Sequence, residues 1–271
     1  MAATRTESIA HAVLEVLAAG RQCEPFTASN PGFSTGDAYA VTARVRQLRM
    51  QEGATSVGRK IGFTNRNMWP EYGVFEPFWG DIYDTTVHSI VPGDRVGVMH
   101  LPEPRIEPEI VLGLEGEPAP GMSLAEIAGT IGWAAHGFEV VQSIFPGWRF
   151  KAADCVADGG LHGALFVGPR RAVGKGDRAG LATTLSALRI TLYRDGEAID
   201  EGVGSNVLDG PIQALAHLVE VLGRDPHNPP LRAGEMVTTG TLTRAFPVGR
   251  GERWSTRIDG VDLPGLAVEI G

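Results

Sequence analysis

Positive charge is in short supply in this chain. Its 271 residues hold 24 Lys and Arg against 32 Asp and Glu, a formal net charge of −8. Nucleic acids and anionic membranes both call for a basic surface, so neither is expected as a partner. Cysteine is scarcer still, with only Cys23 and Cys155. Two isolated thiols make neither a disulfide framework nor a metal-ligand spacing, and they suit a reducing cytoplasm. Apolar runs long enough to span a bilayer are absent. The opening Met1-Ala2-Ala3-Thr4-Arg5-Thr6-Glu7 lacks the charged-then-apolar layout of a secretory leader, so none is expected. Repeats, low-complexity stretches and obvious linkers are missing as well. One fold over residues 1–271 is therefore expected, with a helical portion at 1–53 and a β-rich core at 54–271.

Hydrophobic periodicity supplies the coarse architecture. Ile9, Val13, Val16 and Leu17 fall on one stripe and predict a helix over residues 7–19, ended by Gly20. Residues 20–36 read as a loop. Within it, Gly32-Phe33-Ser34-Thr35-Gly36 matches the G-x-S-x-G nucleophile elbow, but no strand precedes it, as that elbow requires. Ser34 or Thr35 instead reads as the cap of a second helix, striped by Ala38, Val41, Val45 and Leu48. From residue 55 onward short strand-like runs dominate, at 55–63, 82–89, 95–100, 106–114, 132–142, 162–168, 187–195, 235–239 and 265–270. Residues 65–71 read as a short helix or lid ended by Tyr72-Gly73. Two helices interrupt the strands, one after the capping box Ser123-Leu124-Ala125-Glu126 and one after Asp209-Gly210-Pro211. No sustained β-α alternation appears. The fold class expected is α+β, with N-terminal helices ahead of a mixed, curled β core.

The chemistry starts with Arg105-Ile106-Glu107-Pro108-Glu109-Ile110-Val111-Leu112, which reads as a strand. Residues i and i+2 of a strand share a face, so the Glu107 and Glu109 backbones sit roughly 7 Å apart on one side. Two such carboxylates repel unless something neutralises them, and a hard divalent cation does so through oxygen. A solvated strand face is the other reading, and spacing alone leaves both open. Trp133-Ala134-Ala135-His136-Gly137-Phe138-Glu139-Val140-Val141 is a second strand with one acid among apolar neighbours. Burying that acid is costly unless it is paired or metal-bound. Glu139 would complete a three-carboxylate site.

Five motifs occur in order: Gly58-Arg59-Lys60-Ile61-Gly62-Phe63-Thr64; Glu107 with Glu109; Glu139; Ala153-Asp154-Cys155-Val156-Ala157-Asp158; and Thr238-Thr239-Gly240-Thr241-Leu242-Thr243. As a set, over nearly the whole chain, they resemble the fumarylacetoacetate hydrolase superfamily. The nearer likeness is to its 2-keto-4-pentenoate hydratase and 4-oxalocrotonate decarboxylase branch, from meta-cleavage pathways of aromatic-compound catabolism. The resemblance implies the superfamily's β-roll or sandwich fold and a cytoplasmic homo-oligomer, able to associate with a related pathway enzyme. It implies Mg²⁺ or Mn²⁺ on Glu107, Glu109 and Glu139, acting as a Lewis acid on a 2-hydroxydienoate or 2-keto-enoate through a metal-chelated enolate. Lys60 would stabilise charge on that enolate as a catalytic residue. Thr239, Gly240 and Thr241 would bind the substrate's carboxylate.

Two positions depart from the branch's pattern. Pro77-Phe78-Trp79-Gly80 puts Phe78 where an acid is usual, which implies a more apolar substrate-binding wall. His162 stands where a serine is usual, as either a general acid/base or a packed histidine. Glu71 and Asp81 are alternative proton carriers, and His136 reads as a hydrogen-bonded core residue. Arg149, Lys151 and Asp154 are either part of the site wall or a solvated cluster. Hydratase or decarboxylase chemistry is expected first. A carbon–carbon hydrolase acting on a 1,3-dicarbonyl and a non-catalytic metal-binding subunit are the alternatives.

Overall fold

A computed structural model of the chain describes residues 2–72 and 74–271, apart from the side chains of residues 2, 3, 68, 71 and 72. Gly73 and the side chain of Glu71 thus lie outside the described residues. The helices are α1 (Ala2–Ala18), α2 (Phe26–Ser29), α3 (Thr35–Gln51), α4 (Trp69–Tyr72), α5 (Leu124–Gly129), α6 (Ala152–Ala157), α7 (Arg178–Ala187) and α8 (Pro211–Leu222). The strands are β1 (Ser56–Gly62), β2 (Phe78–Tyr83), β3 (Val87–Ser89), β4 (Asp94–Val96), β5 (Arg105–Leu114), β6 (Ile131–Val141), β7 (His162–Val167), β8 (Arg171–Ala172), β9 (Arg189–Arg194), β10 (Glu197–Val203), β11 (Met236–Thr238), β12 (Phe246–Pro247), β13 (Arg253–Asp259) and β14 (Ala267–Ile270). The architecture is the expected α+β one. A large curled sheet runs β2-β1-β11-β5-β6-β7-β3, with β12 beside β5 and β8 beside β6. A smaller sheet runs β10-β9-β13-β14-β4. No helix among the described residues is long and apolar enough to cross a membrane.

Strand alternation divides β5 between two environments. Ile110 and Leu112 pack under α5, α7 and α8, and Ile106 packs with Phe138 and Val140 against Trp254 and Val268 of the small sheet. Val111 points the other way, joining Ile82, Ala135, Leu165 and Met236 inside the curl. Glu107 and Glu109 share that inner side with Val111 by the period of two.

The helix ends follow local chemistry. The Ser34 hydroxyl accepts from Asp37 N while the Asp37 carboxylate accepts from Ser34 N, so the G-x-S-x-G match is a helix cap. Ser123 and Glu126 cap α5 in the same way, and Pro211 opens α8.

Several elements differ from the sequence expectation. α1 begins at Ala2 rather than near residue 7. The loop of residues 20–36 contains α2, because Thr27 N and Oγ1 donate to buried Asp154 at 2.9 and 2.8 Å. α6 is too short to show a periodicity. α7 contains Gly180, Thr183 and Thr184, all poor helix formers, and is held by Leu181 and Leu185 buried between α5 and α8. β10 and β13 are rich in charge, and their ladder with β9 rather than apolar content makes them strands.

Candidate active site

Glu107 lies directly opposite Glu139 in the β5–β6 ladder, and Glu109 lies opposite Gly137. Register and alternation together bring three carboxylates to one spot, each offering an oxygen within 4.8 Å of the others. Glu109 and Glu139 are fully buried and Glu107 is half-buried. Glu109 Oε1 and Glu139 Oε2 have no hydrogen-bond partner among the described residues. Two inward-facing oxygens left bare of donors are what a carboxylate site for a hard cation presents before the ion is considered.

Lys60 approaches from β1, which is separated from β5 by β11. Its Nζ lies 3.2 Å from Glu139 Oε1 and donates to the Gly160 carbonyl at 2.9 Å. Only 2% of the residue is exposed. Its route passes Gly160, whose φ is +74°, and a Cβ there would sit 2.8 Å from Lys60 Cδ. Gly240 is constrained more tightly. Its N–H donates to Glu109 Oε2 at 2.7 Å, its φ is +99°, and a Cβ would lie 1.7 Å from Thr64 Oγ1.

The electrostatics follow from this packing. Burial pushes the Glu107 carboxyl up to about 7, with Lys60 opposing and Glu139 reinforcing the shift. Glu109 is raised further, by burial and by its two acidic neighbours. Burial would raise Glu139 too, but Lys60 and then His162 outweigh it and hold Glu139 below the usual range. Burial would lower Lys60, yet Glu139, Glu107 and Glu109 hold it above its ordinary value. The cluster thus keeps a charged Lys60–Glu139 pair beside two carboxyls that resist ionisation without further positive charge.

Both histidines act from behind the acids. His162 Nδ1 sits 2.8 Å from Glu139 Oε1, and its Nε2 sits 2.8 Å from Thr86 Oγ1. A carboxylate oxygen only accepts, so Nδ1 carries the hydrogen. His136 Nδ1 donates to the Glu109 carbonyl at 2.9 Å, and its Nε2 meets Thr256 Oγ1 at 2.9 Å. Burial lowers His136 to about 4, so it is neutral there.

A cavity of about 40 Å³ borders Lys60, Glu107, Glu109, Gly240 and Thr241. Phe63, Trp148 and Leu161 also line it. Phe78 lies one layer back, its ring 4.8 Å from that of Phe63. Thr239 is turned away, with its hydroxyl donating to the Ile110 carbonyl at 3.1 Å. His162 and Asp158 border a different cavity of about 620 Å³ between α1, α3 and the sheet, which none of the three glutamates lines. Asp154 accepts from Thr27 and from Lys151 N, while Arg149 and Lys151 are exposed and line neither cavity. Asp81 pairs with Arg59 at 2.9 Å and Arg46 at 3.3 Å in the fold's interior.

Sequence reasoning did not single out Phe63, Thr64, Asn65, Trp148 or Leu161 as lining residues. Phe63 and Thr64 end the lysine motif and could have been taken with it. Trp148 and Leu161 carry no local signal, since their place depends on backbone turns.

No family model matches the chain. Among curated proteins it is 32% identical to a 2-keto-4-pentenoate hydratase of Burkholderia vietnamiensis, over 94% of each chain. It is 29% identical to a 2-hydroxyhexa-2,4-dienoate hydratase of Comamonas testosteroni, over 91% of each. Among solved structures it superposes on 4-oxalocrotonate decarboxylase from Pseudomonas putida G7, complexed with magnesium and adipate. The TM-score is 0.89, with 23% identity, 99% of this chain and 98% of that one covered.

Proposed function

Because this chain belongs to the 2-keto-4-pentenoate hydratase family of the fumarylacetoacetate hydrolase superfamily, we propose that it adds water to a 2-hydroxydienoate. It is a metal-dependent lyase of the hydratase/decarboxylase type, from the degradation of aromatic compounds. Both curated relatives named above are hydratases, which favours water addition over loss of CO₂.

One observation carries the reading. Three buried or half-buried carboxylates face a single charged lysine. Ionising all three would leave two negative charges that Lys60 does not offset, which one divalent cation balances. The residues fit such an ion, since Glu109 Oε1 and Glu139 Oε2 are buried acceptors with no hydrogen-bond partner among the described residues. Glu107, Glu109 and Glu139 would hold it, and hard oxygen ligands suit Mg²⁺ or Mn²⁺. Bound there, the cation would supply Lewis acidity at the oxygens of a 2-hydroxy or 2-keto acid.

The chain's own groups take the remaining roles. Lys60, kept protonated by its acidic neighbours, places a fixed positive donor at the wall of the 40 Å³ cavity. Negative charge developing on the substrate's C2 oxygen would meet it without reorganisation. His162 orients the Glu139 carboxylate from the far side through Nδ1–H, and His136 fixes the backbone carbonyl of Glu109. Gly240 holds Glu109 Oε2 by its N–H, and with Thr241 it borders the space for the substrate's carboxylate.

Incubation with Mg²⁺ or Mn²⁺ and a 2-hydroxydienoate, followed by mass spectrometry, tests this. A product heavier by one water supports hydration. Loss of CO₂ moves the assignment to decarboxylation, two fragments to carbon–carbon hydrolysis, and an unchanged mass refutes the proposal.

A further inference from the structure

Glu109 is held by one peptide group, and that peptide is itself held from behind. The Gly240 N–H donates to Glu109 Oε2 at 2.7 Å. On the opposite edge of the same peptide, the Thr239 carbonyl accepts from Thr64 Oγ1 at 2.8 Å. A trans peptide is planar, with C=O and N–H pointing in opposite directions, so anchoring one edge aims the other. Thr64, Thr239 and Glu109 are all fully buried, so water does not compete for either bond.

The chain builds this arrangement from two sides. β1 ends at Gly62, and Phe63 then turns with a left-handed φ of 55°. A bulky residue adopts that conformation only where its surroundings enforce it. Here Trp69 Nε1 donates to the Phe63 carbonyl at 2.8 Å, and Leu208 N donates to the Thr64 carbonyl at 3.1 Å. On the other side, Thr239 N donates to the Ile110 carbonyl at 3.2 Å and Leu242 N to the Pro108 carbonyl at 3.0 Å. The turn after β11 is thus fastened to β5 on both sides of Glu109. The Thr64 hydroxyl occupies the space a Cβ on Gly240 would need, so this glycine lets the clamp close.

We propose that Thr64 is a positioning residue for the cation site. Through the Thr239–Gly240 peptide it fixes Glu109 with Oε2 against the turn, which leaves Oε1, the oxygen without a hydrogen-bond partner, for the ion. The inference rests on the proposed cation site and extends it past the carboxylates. The segment that carries Lys60, the site's positive charge, then also carries the group that orients one of its acids. Partners behind a metal ligand are typically worth ~10–100-fold in metal affinity. Thr64 stands one peptide further from the ion, so the lower end, ~10-fold, is expected.

Thr64→Val matches the shape of threonine and removes the hydroxyl, whereas Thr64→Ser keeps the hydroxyl. Asn206→Ala is the control. Asn206 Nδ2 donates to the Leu242 carbonyl at 2.9 Å, so it fastens the same turn without a link to Glu109. Mn²⁺ is titrated calorimetrically into each chelator-treated protein, and each is melted without metal. Thr64→Val and Asn206→Ala should both melt below the unaltered protein, since each loses a hydrogen bond. Only Thr64→Val should raise the Mn²⁺ Kd, by ~10-fold, and Thr64→Ser should restore it. Should Thr64→Val fail to fold, Thr64→Ala replaces it under the same expectation. An unchanged Kd in the hydroxyl-free variant overturns the proposal, as does equal weakening in Asn206→Ala or no recovery in Thr64→Ser. Those results leave the cation site standing. Absence of Mn²⁺ binding in the unaltered protein overturns the site and the positioning role together.

Discussion

Replacing Lys60 with methionine removes the one positive charge inside the acidic cluster while keeping most of the side-chain volume. Glu139 Oε1 loses its partner at 3.2 Å and keeps only His162, and the Gly160 carbonyl loses its donor. Removing one member of a buried ion pair costs ~3–5 kcal/mol. At about 2–4 °C per kcal/mol for a chain of this size, the metal-free variant should melt roughly 6–20 °C below the unaltered protein. A divalent cation replaces part of the missing charge, so saturating Mg²⁺ should shrink that gap. Turnover does not recover with the cation, because a donor aimed at developing charge is worth ~10²–10³ in kcat. Scanning calorimetry in chelator and in Mg²⁺, paired with a turnover assay, reads all three effects. If Lys60→Met melts with the unaltered protein in chelator, or the gap ignores Mg²⁺, the pairing does not organise the site as argued.

Gly240→Ala should weaken both stability and cation binding, because its Cβ would strike Thr64 Oγ1 and displace the N–H that holds Glu109; thermal melts with and without Mg²⁺ check this. Cation affinity should rise with pH. Glu107 sits near 7 rather than 4.5, so the cation-free folded protein binds more protons between those values than the unfolded chain does. The stability due to this group therefore falls as pH rises through that window, and the cation gains as the proton leaves. Calorimetric Kd values from pH 5.5 to 7.5 test it, and a flat series contradicts it. His162→Asn separates two roles for that residue. As an orienting group it should lower cation affinity and turnover together while leaving the shape of the pH–rate profile alone; loss of a limb near neutrality would instead make it a proton carrier.

What could be read in the sequence follows its periodicities. The shared face of Glu107 and Glu109 is a property of any strand, so the pair was visible before the fold. Glu139 stood out as an acid in an apolar run, but its place opposite Glu107 depends on a β5–β6 register that no local pattern encodes. The caps at Ser34 and Ser123 were legible because capping is local chemistry. α7 was not, because its helicity comes from Leu181 and Leu185 packing against distant helices. Phe63, Trp148 and Leu161 were hidden for a different reason. Glycine advertises a left-handed turn, whereas a bulky residue forced into one leaves no mark in the sequence. Thr239 shows the converse: its motif suggested a binding hydroxyl, and the fold turns that hydroxyl into the sheet.

The carboxylate cluster itself can be tested directly by titrating Mn²⁺ into chelator-treated protein while following hydration of a 2-hydroxydienoate. One ion per chain should bind, with turnover rising in step with occupancy, and Glu109→Gln should weaken binding and turnover together. Full turnover in excess chelator, or an unchanged Mn²⁺ affinity in Glu109→Gln, would contradict the assignment of Glu107, Glu109 and Glu139 as the site of a catalytic cation.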